Sequence, residues 1–354
     1  MSISVKFLEA YNGDSILISF QGDDGKTKNI LIDGGTRHTY VKKRRSGDLK
    51  REVELIQKKN EKIDLLVLTH IDDDHIGGIL ELFKDQKLDK TIIKNLWFNS
   101  GRLIAEYLDS SINDQDRNIS IGIYNTLETS FQQAIDLETL LQNLNCWDRT
   151  IKKRIVVEPI DNCKLTIISP SKRTLKKLHN NWKTKKPESL KNSPSQTDYH
   201  IPLINLMSEE DTYKKDSSIP NGSSISFILE YKNRKLLFLG DAHPNVIVES
   251  LQELGYTKNK KLRLDLLKVS HHGSKKNTSK KLLELIDCDV FVISTNALKH
   301  GLPDKLTLAR IIKSNPRCTL LFNYNILGRV FLEEDFQNTT FKAKYLNKEA
   351  IQFY

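Results

Sequence analysis

At 354 residues the chain can form one large α/β domain with insertions or two small ones, and no apolar run approaches a membrane span. Its 55 Lys and Arg against 45 Asp and Glu give a formal net charge of +10, which suits an anionic partner such as nucleic acid. The four cysteines are scattered with no C-x-x-C pair, which reads against a disulfide framework or a zinc knuckle. Residues 1–10 lack the basic-then-apolar pattern of a secretory leader, so a cytoplasmic protein without a membrane partner is expected.

Residues 3–35 are apolar in short alternating pieces, with Gly22-Asp23-Asp24-Gly25 as a turn, and predict an antiparallel meander ending on Asp33-Gly34-Gly35. Residues 37–50 carry Lys42, Lys43, Arg44 and Arg45 and read as a solvated loop able to contact phosphate. Residues 52–59 read as helix. The run Leu65, Leu66, Val67, Leu68 is too short for a helix and predicts a buried strand. His70, Asp72, Asp73, Asp74 and His75 follow it, five potential ligands in six residues. Carboxylates crowded at a strand end repel one another, and a bound cation relieves that. Imidazole with carboxylate suits zinc, manganese or iron. Asp74 is expected to cap a helix running through Phe83, and residues 92–98 look like another strand.

From residue 101 the pattern changes. Residues 128–144 predict an amphipathic helix, and 164–170 return to strand. Residues 172–191 carry Lys172, Arg173, Lys176, Lys177, Lys183, Lys185, Lys186 and Lys191 against one acid, Glu188, with His179 and Trp182 interleaved. A solvated, mobile insertion is expected there; the alternative is an arm facing nucleic acid, with Trp182 stacked on a base. Residues 193–220 read as loop. The stretch SSISFILEYKNRKLLFLGDA predicts two strands joined at Lys232-Asn233 and ending on Asp241, and residues 243–254 a helix. A further strand ends on His271-His272-Gly273-Ser274. Helix, strand, and a loop holding His300 and Pro303 come next, and CTLLFNYN with GRVFLEE predicts a closing hairpin.

The spacing H-x-D-x-D-H over His70, Asp72, Asp74 and His75 resembles the H-x-H-x-D-H signature of metallo-β-lactamase-fold hydrolases, in the form found in the hydrolase domain of the competence protein ComEC. The resemblance implies one four-layer αββα sandwich over residues 1–354, with 101–160 and 171–215 as polar insertions. It implies two divalent metal ions, zinc or manganese. By position His70 and Asp72 hold the first, Asp74, His75 and a late histidine the second, and Asp241 bridges them. His271 is preferred as the late histidine and His272 is kept. Asp33 is expected to support the metal loop by hydrogen bonding. Asn221 and Ser224 stand roughly where lactamase-like enzymes place a third histidine, a departure that favours a harder metal such as manganese. His300 with Pro303 partly matches the stretch after the last metal histidine.

Two metals lower the pKa of a bridging water and stabilise charge on attacking and leaving oxygens, which suits hydrolysis of DNA or RNA by a metal-bridging hydroxide. Asp74 and His300 are the residues expected to act in catalysis, His300 as general acid. The alternatives are a hydrolase of a small phosphoester, nucleotide or lactone-like substrate, and an inactive interaction module. No protein partner is legible in the sequence.

Overall fold

The computed structural model describes residues 2–42, 45–108, 126–142, 144, 146–147, 149–184, 197–208, 210, 213–337 and 339–354. The expected meander is present as Ile3–Phe7, Ile16–Gln21 and Thr27–Ile32, paired antiparallel. Leu65–Val67 and then Leu96–Trp97 add to it in parallel. The last strand of the chain, Ile351–Phe353, pairs with Ile3–Phe7 on the other edge and completes a six-stranded sheet.

An eight-stranded sheet repeats this plan. Val156–Ile160, Cys163–Ser169, Ser226–Tyr231 and Arg234–Phe238 run antiparallel. Leu266–Lys268, Val290–Ile293, Thr319–Phe322 and Lys342–Tyr345 follow in parallel. Side chains alternate across each strand, so one strand serves two cores. Leu65, Val67, Leu236 and Phe238 meet between the sheets, together with Val5, Ile18, Leu229 and Val292. Leu66 faces outward, onto a core shared with the helices Asp48–Lys58, Asp73–Lys84, Thr126–Leu141 and Lys172–Thr184. Leu237 does the same on the other side, against Pro244–Glu253 and Lys305–Ser314. The result is the αββα order of layers.

Four expectations are corrected. GRVFLEE is no strand: Leu327–Val330 is a short helix, and Thr319–Phe322 takes Lys342–Tyr345 as its parallel neighbour instead. The apolar Val330 and Phe331 of this stretch are buried in the helical core of that sheet rather than alternating along a strand. Residues 92–98 contribute only Leu96–Trp97 as strand. The stretch read as loop before Pro220 contains the helix Leu203–Ser208. Lys172–Thr184 is a packed helix rather than a solvated arm, because Leu175, Leu178, His179 and Trp182 recur at helical spacing and are buried. Trp182 meets Phe131 edge-on at 5.0 Å and is closed to a base. Lys43, Arg44, Lys185, Lys186, Glu188 and Lys191 lie outside the described residues, as does the side chain of Lys183.

One close approach fixes the motif helix. A Cβ on Gly78 would collide with the Gly34 carbonyl oxygen, and one on Gly34 with the Ile79 amide. Only glycine at both places lets the helix Asp73–Lys84 lie directly on the Asp33-Gly34-Gly35 turn.

Candidate metal centre

Potential ligands arrive from three strand ends. Beyond Leu65–Val67 come His70 and then Asp72, which occupies the N-cap of the helix Asp73–Lys84 without a side-chain cap bond. Asp72, not Asp74 as expected, is therefore the cap residue. Its uncommitted carboxylate stands 3.6 Å from His70 Nε2. Beyond Arg234–Phe238, a left-handed Gly240 precedes Asp241, whose buried carboxylate meets the histidines from the other strand ends. Beyond Leu266–Lys268, His271 and His272 both adopt left-handed backbone, with φ of 47° and 52°. Such backbone costs non-glycine residues about 1–3 kcal/mol each and gathers at functional sites. The His271 amide, donating to the Gly240 carbonyl at 3.0 Å, helps to hold it.

These side chains converge on one atom. Nε2 of His75, His271, His272 and His70 lies 3.5, 3.7, 3.7 and 3.9 Å from Asp241 Oδ2. His272 Nε2 is also 3.6 Å from Asp74 Oδ2. The closest groups of candidate ligand atoms among the described residues include His70, His75 and Asp241, and Asp74, His75 and His272. His272, rather than the preferred His271, joins Asp74 and His75. Nε2 of His70, His75 and His272, with Asp241 Oδ1, are buried and have no hydrogen-bond partner. Leaving four such atoms unsatisfied is costly. Two ligand atoms each about 2.1 Å from a tetrahedral ion stand roughly 3.4 Å apart, close to these spacings. The donor set fits divalent metal.

The far sides of the rings are held. His75 Nδ1 lies 2.8 Å from Asp33 Oδ2, and Asp33 also accepts from the Thr69 amide and hydroxyl, each at 2.7 Å. His272 Nδ1 lies 2.9 Å from the Ser294 carbonyl, which turns its Nε2 lone pair inward. His271 Nδ1 faces Asn277 Oδ1 at 3.0 Å and Asp216 Oδ2 at 3.6 Å. Asn12 donates to Asp74 Oδ2 at 2.8 Å. Asn221 donates to Asp216 at 2.7 Å, and Ser224 Oγ accepts from the Asp241 amide at 3.2 Å. Sequence reasoning missed Asp216 and Asn277. Both lie in polar stretches without periodicity, and nothing local marks Asp216 as buried.

Electrostatics follows the crowding. Burial alone would raise the Asp241 carboxyl, yet His271, His75 and His272 outweigh it and hold the group well below its usual range. Burial likewise opposes a charged His75, and Asp241 with Asp33 overcomes it and raises the imidazole. His300 is exposed on its loop at φ 59°. Partial burial of its ring and then Lys299 lower its pKa, while Asp74 acts the other way. The loop that carries His300 is tied to the turn that carries His272, the Asp304 amide donating to the Gly273 carbonyl at 3.0 Å, which places it at the rim of the cluster.

The sequence model of the metallo-beta-lactamase superfamily matches residues 9–139 and 208–297. No curated protein matches the sequence. Among solved structures, Zn(2+)-bound PqqB from Methylobacterium extorquens is 12% identical, covers 100% of both chains and has a TM-score of 0.41. Tm1679, a metal-dependent hydrolase of the beta-lactamase superfamily, is 11% identical over 99% of this chain and 98% of its own, at 0.39. A long form RNase Z from yeast is 14% identical over 99% of this chain and 41% of its own, at 0.38. At these scores the structural likenesses add nothing to the family match. The match itself spans well over half of the chain and each strand end that delivers a candidate ligand, and by it the chain belongs to the metallo-β-lactamase superfamily of metal-dependent hydrolases.

Proposed function

We propose that the chain is a metal-dependent phosphodiesterase acting on nucleic acid, akin to the ComEC-like subgroup. The observation that carries the reading is the ring of four imidazole Nε2 atoms within 3.9 Å of Asp241 Oδ2, with Asp72 and Asp74 at its edge. His70 and Asp72 would hold one ion, Asp74, His75 and His272 a second, and Asp241 both. His271 adds an imidazole where the sequence offered no third histidine. That weakens the argument for a hard metal and leaves zinc and manganese both suited. When bound, a metal pair supplies a nucleophile at neutral pH and neutralises charge on a phosphoryl group.

The chain's own residues orient and exclude. Asp33 and Ser294 fix the ring planes of His75 and His272, so neither ligand has to reorganise when an anion enters. His300, biased toward the neutral form, can accept a proton at the rim. To serve as general acid, as expected from the sequence, it needs a substrate phosphate beside it to raise its pKa again. The net charge of +10 favours anionic substrates over neutral lactones.

The test is metal analysis of the purified chain, then incubation of zinc- and manganese-loaded protein with bis-p-nitrophenyl phosphate, DNA of one and two strands, RNA and a lactone. Hydrolysis of the phosphodiesters at about two ions per chain is expected. Turnover of the lactone alone would overturn the reading.

A further inference from the structure

A groove of about 820 Å³ lies between the helix Lys172–Thr184 and the helix Pro244–Glu253. Tyr107, Lys152, Lys153, Arg154, Lys172 and Arg173 line it, with Glu249 and Glu253. The acids are already engaged: Glu253 pairs with Lys153 at 3.1 Å and Arg154 at 2.9 Å, and Glu249 lies 3.5 Å from Lys153. Lys152 and Lys172 instead gather over a single ring, with Nζ 3.7 and 5.5 Å from the Tyr107 centroid. Two ammonium groups drawn to one aromatic repel each other, and an anion between them would relieve that. Among the described residues no carboxylate is paired with Lys152, Lys172 or Arg173.

The groove is joined to the metal centre. The helix Pro244–Glu253 begins three residues after Asp241 and ends at the groove with Glu253, a span of about 15 Å at 1.5 Å per residue. Alongside it, Lys172, Arg173, Lys176 and Lys177 are all exposed, and their i, i+4 spacing sets them on one face of the neighbouring helix. The helix Lys172–Thr184 packs against the short helix Ile219–Gly222, and the carbonyl of Ser218 at the start of that helix lies 2.8 Å from His243 Nε2, so this cationic face runs beside the segment that follows Asp241.

We infer that the Tyr107–Lys152–Lys172–Arg173 groove and the Lys176–Lys177 stripe form a track for the phosphodiester backbone of a nucleic-acid strand that continues, over several nucleotides, to the metal centre. This rests on the phosphodiesterase reading and supplies what that reading lacks, a reason for a polymer rather than a small ester. Tyr107 offers a ring already flanked by cations, on which a base can stack once the lysines turn to phosphate.

The test uses the full chain and fluorescein-labelled 20-mers of oligo(dT) and oligo(U), followed by anisotropy at several salt concentrations. Replacing Lys152, Lys172 and Arg173 together by alanine should weaken binding tenfold or more. It should also flatten the log–log salt slope by about 2, three released contacts at roughly 0.7 each. Hydrolysis of bis-p-nitrophenyl phosphate should stay at the parent rate. A control that removes the exposed Lys258, Lys260 and Lys261 should bind like the parent. The ratio of oligo(dT) to oligo(U) affinity assigns the sugar. If the triple variant keeps the parent's affinity and slope, the track does not exist. It also falls if the parent ignores both oligonucleotides but is held by phosphatidylserine vesicles through the same three residues. Loss of oligonucleotide binding in the variant, with a parent that never hydrolyses a phosphodiester, would keep the track and sink the phosphodiesterase reading instead.

Discussion

At the scale of single residues, the centre depends on how few alternatives each ring has. His75 is pinned between Asp33 and Asp241, and His272 between Ser294 and Asp74. Asp33→Asn should lower metal affinity about 10–100-fold, as losing a hydrogen-bonded support does at other metal sites, measured by competition with a chromogenic chelator. Unchanged affinity would remove Asp33 from the site. His272→Ala should cost about one ion per chain and His271→Ala less, because His272 groups with Asp74 and His75 whereas His271 touches only Asp241 among the ligands. Metal analysis giving the reverse order would restore the sequence's preference. The pattern H-x-D-x-D-H made His70, Asp72, Asp74 and His75 legible because they share one turn. Asp216 was illegible because what makes it matter is His271, 55 positions away in the chain.

At the scale of elements, two helix contacts carry testable energies. Trp182, expected on the surface, lies in the core of the first sheet's helices, so Trp182→Ala should cost about 3–5 kcal/mol in chemical denaturation. A cost near zero would return it to the surface. Asp85, at the end of the motif helix, accepts from Lys50 Nζ at 2.7 Å and Tyr40 Oη at 2.9 Å, tying that helix to Asp48–Lys58. The Lys50 ammonium chiefly, helped by the Lys87 amide and Tyr40 against burial, holds the Asp85 carboxyl down from 3.8 to about 2. A carboxyl depressed by folding stabilises above its unfolded pKa, and that stability is lost as pH falls through its folded one. Asp85→Asn should therefore lower stability by about 1 kcal/mol at pH 7, solvent screening included, and the gap to the parent should close between pH 4 and pH 2. Denaturant midpoints for the two proteins across that range check it.

At the scale of the whole molecule, the two sheets are joined by charge as well as by their shared apolar core. Asp14, between the first two strands, is paired with Lys268 at the end of a strand of the other sheet, and both are buried. Asp14→Ala leaves a buried ammonium without its counter-charge and should cost about 3–5 kcal/mol, with Lys268→Met in the same chain recovering much of it. A single variant as stable as the parent would show that the pair contributes nothing. The sequence by itself determined the meander, the strand before His70, the ligand cluster after it and the strand ending on Asp241, since each depends on apolar alternation or ligand spacing within about ten residues. Only the tertiary structure decided that Ile351–Phe353 closes the first sheet, that Trp182 is core, that His272 faces Asp74, and that Lys152 and Lys172 meet over Tyr107. Those depend on which distant segments share a layer, and local propensity is indifferent to that. It is the burial of two sheet faces against each other that selects among the pairings.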